Sequence, residues 1–460
     1  MSDLSAQSGT HPPDFIIVGG DVVTMNAQRE VLPGGAVAVA GEYIAEVGVA
    51  DEFAIRWPNV RRIDATECVI TPGFINAHQH FTGDPLIRSC IPDSISSHES
   101  IFQWAIPAHE AHTPDDEELS ATLCAAEAAL CGATTVVEAG TVASPERVAA
   151  GIQAVGIRAA LSIWGSDSDG VPHATSPAEV VARQQEMLAK FPAGGLVEGW
   201  IALVGHDLAT DELLQVGTQA ARDAGVNMTM HISPTPADAE SYLQRTGKRP
   251  IVHFAELGIL GRHLLLAHAV WLDDQELQLL LESQTAIAFC PWAYLRLGQG
   301  VTQAGRHREF WEQNGRIALG ADANNSGDVA DILRVATLCA GLWRDQAMKQ
   351  DTFGAQQALE LLTCSGAEAI GKASEIGSLE AGKQADIVVH DTSGIAWTPR
   401  GDTAMQLIWG SDGRAVRDVF VAAKQIVRNG QLTGVNLETL KTEAAKAQKA
   451  LLRRLSRAGG

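Results

Sequence analysis

Between about Thr71 and Ile376 the chain repeats one pattern, a short apolar run rich in β-branched residues followed by a longer stretch with helical spacing. Eight strand candidates can be read: VITPGFINAHQH, ATTVVEAG, IRAALSIWG, VEGWIALVG, VNMTMHIS, HLLLAHAV, TAIAFCP and RIALGAD. Stretches such as ELSATLCAAEAALCG and ATDELLQVGTQAARDAG separate them, and strands that alternate with helices imply a parallel sheet. Eight βα units over roughly 300 residues predict a (β/α)8 TIM barrel, an α/β fold whose active site lies at the C-terminal ends of its strands. The rival doubly wound sheet would carry a glycine-rich phosphate loop after its first strand, and VITPGFINAHQH has none.

The flanks have a different texture. DFIIVGGDVVTM, GGAVAVAGEYIAEVG and VRRIDATECVI near the start, and ADIVVH, the apolar segment from Met405 to Trp409 and VRDVFVAAKQIVRNGQL near the end, read as short strands with hairpin turns. They predict a small β-sandwich built from both termini. The expected division is 1–70 and 377–435 for the sandwich, 71–376 for the barrel, and 436–460 for a C-terminal helix. That helix is amphipathic with a basic end, which suits an oligomer contact or a solvated cap, so a homo-oligomer is expected.

The net charge of -21 sets the chain against nucleic acid and anionic membranes, leaving small molecules as the expected partners. Its seven cysteines are odd in number, widely spaced and without a CxxC pair, the pattern of reduced thiols in a cytoplasmic protein. The opening MSDLSAQSGTHPPD lacks the basic and apolar regions of a leader, and no apolar run reaches the ~18 residues a membrane span needs.

In a barrel, the last residues of the strands share one cavity. Strand one ends in His78 and His80, strand five in His231, strand six in His268 and strand eight in Asp322, while His206 follows strand four directly. Residues i and i+2 of a strand point the same way, so His78 and His80 can grip one ion. Each residue alone also fits a plainer role, a satisfied core histidine or, for Asp322, a helix cap. Their convergence favours one divalent metal, zinc before iron, manganese or cobalt, with a position open for water. Only Lys190 and Lys248 precede Lys349, and both lie in or beside turns, so no strand lysine is placed to bridge a second ion. Phe81, Trp104, Trp292 and Tyr294 are the expected apolar wall of a substrate pocket, and Asn324 and Asn325 either bond substrate or form a turn. Trp104 and Trp292 could equally pack loops against the barrel, and Glu138 could support the site from behind.

TPGFINAHQH, LCGATTVVEAG, LLLAHAVWLDDQEL, FCPWAYLRLGQG, IALGAD and IGSLEAGKQADIVVHD, in this order and spacing, resemble the amidohydrolase superfamily. The branch is the one with chlorotriazine hydrolases, guanine deaminase and S-adenosylhomocysteine deaminases. The resemblance implies that His78, His80, His231 and Asp322 hold the metal, that Asp322 takes a proton from an activated water, that His268 orients that water or polarises substrate, and that His206 touches substrate. Deaminases of the branch read HxxE after strand five, where this chain has Pro234. The missing carboxylate favours a substrate that brings its own carbonyl. The HISP strand end looks most like phenylurea and molinate hydrolases, although those carry Asn where this chain keeps His78. The expected activity is hydrolysis of a C–N bond in a small amide, urea or carbamate. The alternatives are an aminohydrolase of an s-triazine or nucleobase, and a non-catalytic scaffold.

Overall fold

The computed structural model describes residues 12–458. Eight parallel strand positions follow one another around a barrel: Phe74–Gln79, Ala133–Glu138, Arg158–Leu161, Val197–Gly199 continued by Ile201–Gly205, Met228–Ile232, Leu264–His268, Ala286–Phe289 and Ile317–Leu319. The fourth strand changes partners at Trp200, whose N–H donates to Leu161 O (2.8 Å) while Ile201 N–H donates to Asn227 O (3.1 Å). Strand eight closes on strand one beyond its regular pairing, with Asp322 N–H donating to His78 O (2.9 Å) and Ala321 N–H to Asn76 Oδ1 (3.0 Å).

Alternation divides the barrel strands between two cores. Val136, Leu266 and Phe289 pack outward against the helices, whereas their neighbours Val137, Leu265 and Ala288 fill the interior with Trp200. The helices are fixed locally as well. Asp211–Ala224 starts at Thr210, whose side chain accepts from Leu213 N–H, and stops at Gly225 in the left-handed region (φ 64°).

The β-rich unit joins both termini in one nine-stranded sheet. Phe15–Val23 pairs antiparallel with Val31–Ala40, and Ile387–Asp391 pairs antiparallel with Cys68–Pro72. The rings of Phe15 and Phe420, 5.6 Å apart, tie the two ends of the chain into one core. Two expectations need correction. VITPGFINAHQH is two strands, because Cys68–Pro72 belongs to the terminal sheet and only Phe74–Gln79 to the barrel. The chain crosses between them at Gly73, where a Cβ would lie 2.0 Å from Thr134 Oγ1. The segment from Met405 to Trp409 lies in a helix, Thr403–Gly410, which Asp402 caps through Met405 N–H (2.8 Å) and which buries Ala404, Leu407 and Ile408 at helical spacing.

The helix Leu437–Ala458 lies across the segment that follows barrel strand one, with Leu451 buried beside Leu86, Ile87, Ile91 and Ala108. Much of its apolar face is thus covered within the chain, and Arg454 Nε donates to Ala111 O (2.9 Å). Among the described residues no helix is long and apolar enough to cross a membrane.

Candidate metal centre and active-site cavity

Strand one carries a register shift between Asn76 and Gln79, and His78 within it and His80 just beyond it both stand at the barrel mouth. Their rings lie 5.4 Å apart, His78 lies 4.9 Å from the His231 ring, and Asp322 Oδ1 stands 3.7 Å from His78 Nε2 and 3.4 Å from His80 Nε2. Backbone geometry aims the remaining groups. His206 (φ 54°), Ser233 (48°), His268 (77°) and Asp322 (63°) all take the left-handed region that non-glycine residues avoid, at or just beyond the ends of strands four, five, six and eight. By alternation His268 would follow Leu264 and Leu266 outward; its kinked backbone brings it to the cavity instead.

Supporting hydrogen bonds fix which nitrogen each imidazole offers. His231 Nδ1 donates to Val204 O (2.8 Å), leaving Nε2 for the centre. His80 Nδ1 meets Thr141 Oγ1 (3.1 Å), whose own hydrogen goes to Glu138 Oε1 (3.0 Å). Such outer partners set the tautomer of a ligating histidine. His206 Nδ1 faces Asp238 Oδ2 (3.2 Å), which also accepts from Ser233 N–H (2.8 Å). Both ring nitrogens of His78, and His268 Nδ1, are buried without a protein partner. Buried polar atoms left unpaired are costly, and a cation among these donors satisfies one of the His78 nitrogens.

Burial pushes His78 and His231 well below the usual histidine range and His268 to about 4, so these rings are neutral, the state that ligates metal. Burial opposes charge on His80 too, but the hydrogen bond and charge of Asp322 outweigh it and raise that ring. For Asp322 burial works upward, yet His80 and the neighbouring imidazoles hold the carboxyl well below the carboxylate range. The donor atoms of His78, His80 and Asp322 all lie within 4.8 Å of one another, and so do those of His78, His231 and His268, so two overlapping sets share His78. Imidazole nitrogens with a carboxylate oxygen are a donor set that fits a divalent ion with an open position.

Above this cluster lies a mainly apolar cavity of about 390 Å³, a size suited to a small organic molecule. His80, His206, His231, His268 and Asp322 line it, together with Pro234. The expected apolar wall does not. Phe81, next to inward-facing His80, points the other way into the core, fully buried. Trp104 packs toward the C-terminal helix, and Trp292 lies under Arg334 (5.5 Å) on a different surface. Tyr294 stands behind His268 with its hydroxyl accepting from Cys290 N–H (2.8 Å), and Asn324 is buried away from the cavity. The wall instead comes from Ile101, Phe102, Ala105, Ile106, Trp164 and Leu297. Asp84 and His109, unanticipated from the sequence, also face the cavity. The available signal was IPAHEAH, whose helical spacing puts His109 four residues after Ala105.

The family model described as the amidohydrolase family matches residues 69–431. The 5-methylthioadenosine/S-adenosylhomocysteine deaminase of Syntrophobacter fumaroxidans is 27% identical over 94% of this chain and 96% of its own length. The enzyme of the same name from Symbiobacterium thermophilum is 30% identical over 84% and 87%. Among solved structures, an adenosine deaminase from Xanthomonas campestris with bound zinc superposes with a TM-score of 0.90 at 25% identity, covering 96% of this chain and 99% of that one. A zinc-bound atrazine chlorohydrolase from Arthrobacter aurescens TC1 gives 0.86 at 22% identity, over 94% and 100%, a likeness of fold. A family match across most of the chain, on a barrel with these residues at its mouth, makes this protein a member of the amidohydrolase family and a hydrolase of non-peptide C–N bonds.

Proposed function

We propose that the protein is an aminohydrolase that releases ammonia or an amine from a ring carbon of a nitrogen heterocycle, with aminopurine nucleosides as the first class to test. The observation that carries this reading is its near full-length similarity to relatives named for deamination of methylthioadenosine and S-adenosylhomocysteine. The cavity volume suits a nucleoside, and its apolar lining suits a flat ring.

In this reading His78, His80, His231 and Asp322 hold a single divalent ion, zinc first, as the zinc in two structural neighbours supports. When bound, such an ion acidifies a coordinated water toward a pKa of about 7 and acts as a Lewis acid. Asp322, one oxygen of which accepts from Ala323 N–H (2.7 Å), takes the proton of the attacking water and returns it to the departing amine. His268 steadies charge that develops at the attacked carbon's substituents. His206, oriented by Asp238, presents Nε2 to the substrate. Seven unpaired cysteines support a reducing, cytoplasmic setting.

Pro234 favours a second reading. It lines the cavity and offers no polar group to a ring nitrogen, so amides and ureas, which supply their own carbonyl, stay on the test panel. Zinc-loaded protein is to be incubated with 5′-methylthioadenosine, adenosine, aminotriazines, aryl ureas and anilides, and scored for ammonia and for arylamine. Ammonia from the ring amines is expected. Arylamine from ureas or anilides, with every ring amine untouched, would reverse the assignment.

A further inference from the structure

Two carboxylates near the centre have partners inside the protein. Asp238 is bonded to His206 and Ser233, and Glu138 to Thr141, Gly140 and Ser162. Two groups on the wall formed after strand one differ. Asp84 Oδ1 accepts from Asn325 Nδ2 (3.2 Å), but Asp84 Oδ2 makes no hydrogen bond among the described residues, and neither does either His109 ring nitrogen. Both side chains are only 5% exposed, and both line the cavity.

Their placement is built in by the backbone. Gly83 takes φ 76°, and a Cβ there would lie 2.4 Å from His109 Nε2, so the imidazole rests directly on glycine backbone. The Trp164 ring meets His109 edge-on at 5.3 Å on another side. Asp84 Oδ2 and His109 Nε2 stand 3.8 Å apart, too far to bond each other and close enough to engage two adjacent atoms of one ligand. Donor atoms of His80, Asp84 and His109 lie within 4.8 Å of one another, which puts whatever the pair touches beside the reacting carbon and away from the distant end of the cavity.

One acceptor and one donor, side by side and next to the metal cluster, match the edge –N=C–NH2 of an aminoheterocycle. We propose that Asp84 Oδ2 accepts from the exocyclic amine and His109 Nε2–H donates to the adjoining ring nitrogen, forming a recognition subsite for that edge. The assignment rests on the heterocyclic-amine reading. It supplies from the wall after strand one the polar contact that Pro234 does not make, and it makes Asp84 and His109 specificity-determining residues.

Three ligands that carry no hydrolysable amine test it by calorimetry on the zinc-loaded enzyme: purine riboside, 1-deazapurine riboside and 1-deazaadenosine. Restoring the ring nitrogen, from 1-deazapurine riboside to purine riboside, reads His109; adding the amine, to 1-deazaadenosine, reads Asp84. Each change should tighten binding to the wild type by about 10- to 100-fold, the scale of a buried hydrogen bond to a strongly polar partner. Asp84→Ala should erase only the amine preference, and His109→Phe only the ring-nitrogen preference. A ratio of affinities does not depend on the fraction of folded protein, and a general collapse of the wall would move both ratios together. Ratios that survive in both variants, fall together in both, or are absent from the wild type overturn the subsite. If the ammonia assay finds ring amines hydrolysed, such a result removes the subsite alone; if no ring amine is hydrolysed, the heterocycle reading fails and the subsite with it.

Discussion

At the scale of single residues, the site depends on positions without side chains as much as on the histidines. Gly205 has φ 84°, and a Cβ there would lie 1.9 Å from His231 O. Gly205→Ala therefore has to move strand five away from strand four at the level of a presumed ligand. We expect the variant to lose at least about 2 kcal/mol in urea denaturation, the lower range for forced strain and steric overlap, and to bind less than half the wild-type zinc. Wild-type stability and zinc content together would contradict this account. Phe81 shows how much a residue's direction matters. Its neighbour His80 faces the cavity, while Phe81, also just past the strand end, is turned into the core.

At the scale of elements, the insertion after strand one works as a two-sided wall. Ile101, Phe102, Ala105 and His109 face the cavity, while Trp104, Ala108 and Ala111 face the C-terminal helix, a division that follows helical spacing. The joint between terminal sheet and barrel contains a buried histidine of another kind. His390 Nε2 meets Thr71 Oγ1 (3.1 Å), its ring lies 5.5 Å from Phe74, and burial lowers its pKa from 6.5 to about 3. Because the folded value lies below the unfolded one, its neutral form stabilises the fold above 6.5 and that contribution is lost as pH falls through the window toward 3. Over this window the wild type should lose up to about 1.4 kcal/mol per pH unit more than His390→Gln, one proton's worth of linkage. Urea melts of the two proteins at several pH values measure it; parallel slopes would show that His390 does not carry the effect.

At the scale of the whole molecule, the four presumed ligands come from strands one, five and eight, so a bound ion ties the barrel's closing seam to its far side. Removal of zinc by chelation should lower the melting temperature, and zinc added back at about 100 times its dissociation constant should restore about 2.7 kcal/mol. Calorimetric scans of apo and reconstituted protein check this, and identical scans would mean that these residues hold no ion. The terminal sheet's strand Cys68–Pro72 runs through Gly73 directly into the barrel's first strand, Phe74–Gln79, so the two units are joined without a linker.

The sequence by itself determined the barrel, the β-rich texture of both terminal segments, and the strand ends at which His78, His80, His231, His268 and Asp322 stand. Each follows from local periodicity, which a chain displays before it folds. It did not determine which side chains beyond the strands face the cavity. Those directions come from left-handed backbone at positions such as His268, from a register shift inside strand one, and from a C-terminal helix more than three hundred residues away that holds the insertion's other face. Only the tertiary structure decided that Trp104 and Trp292 pack away from the cavity, that Tyr294 stands behind His268, and that Asp84 and His109 line the cavity. Helical spacing puts His109 on one face with Ala105, but long-range packing decides which face of the insertion meets the cavity.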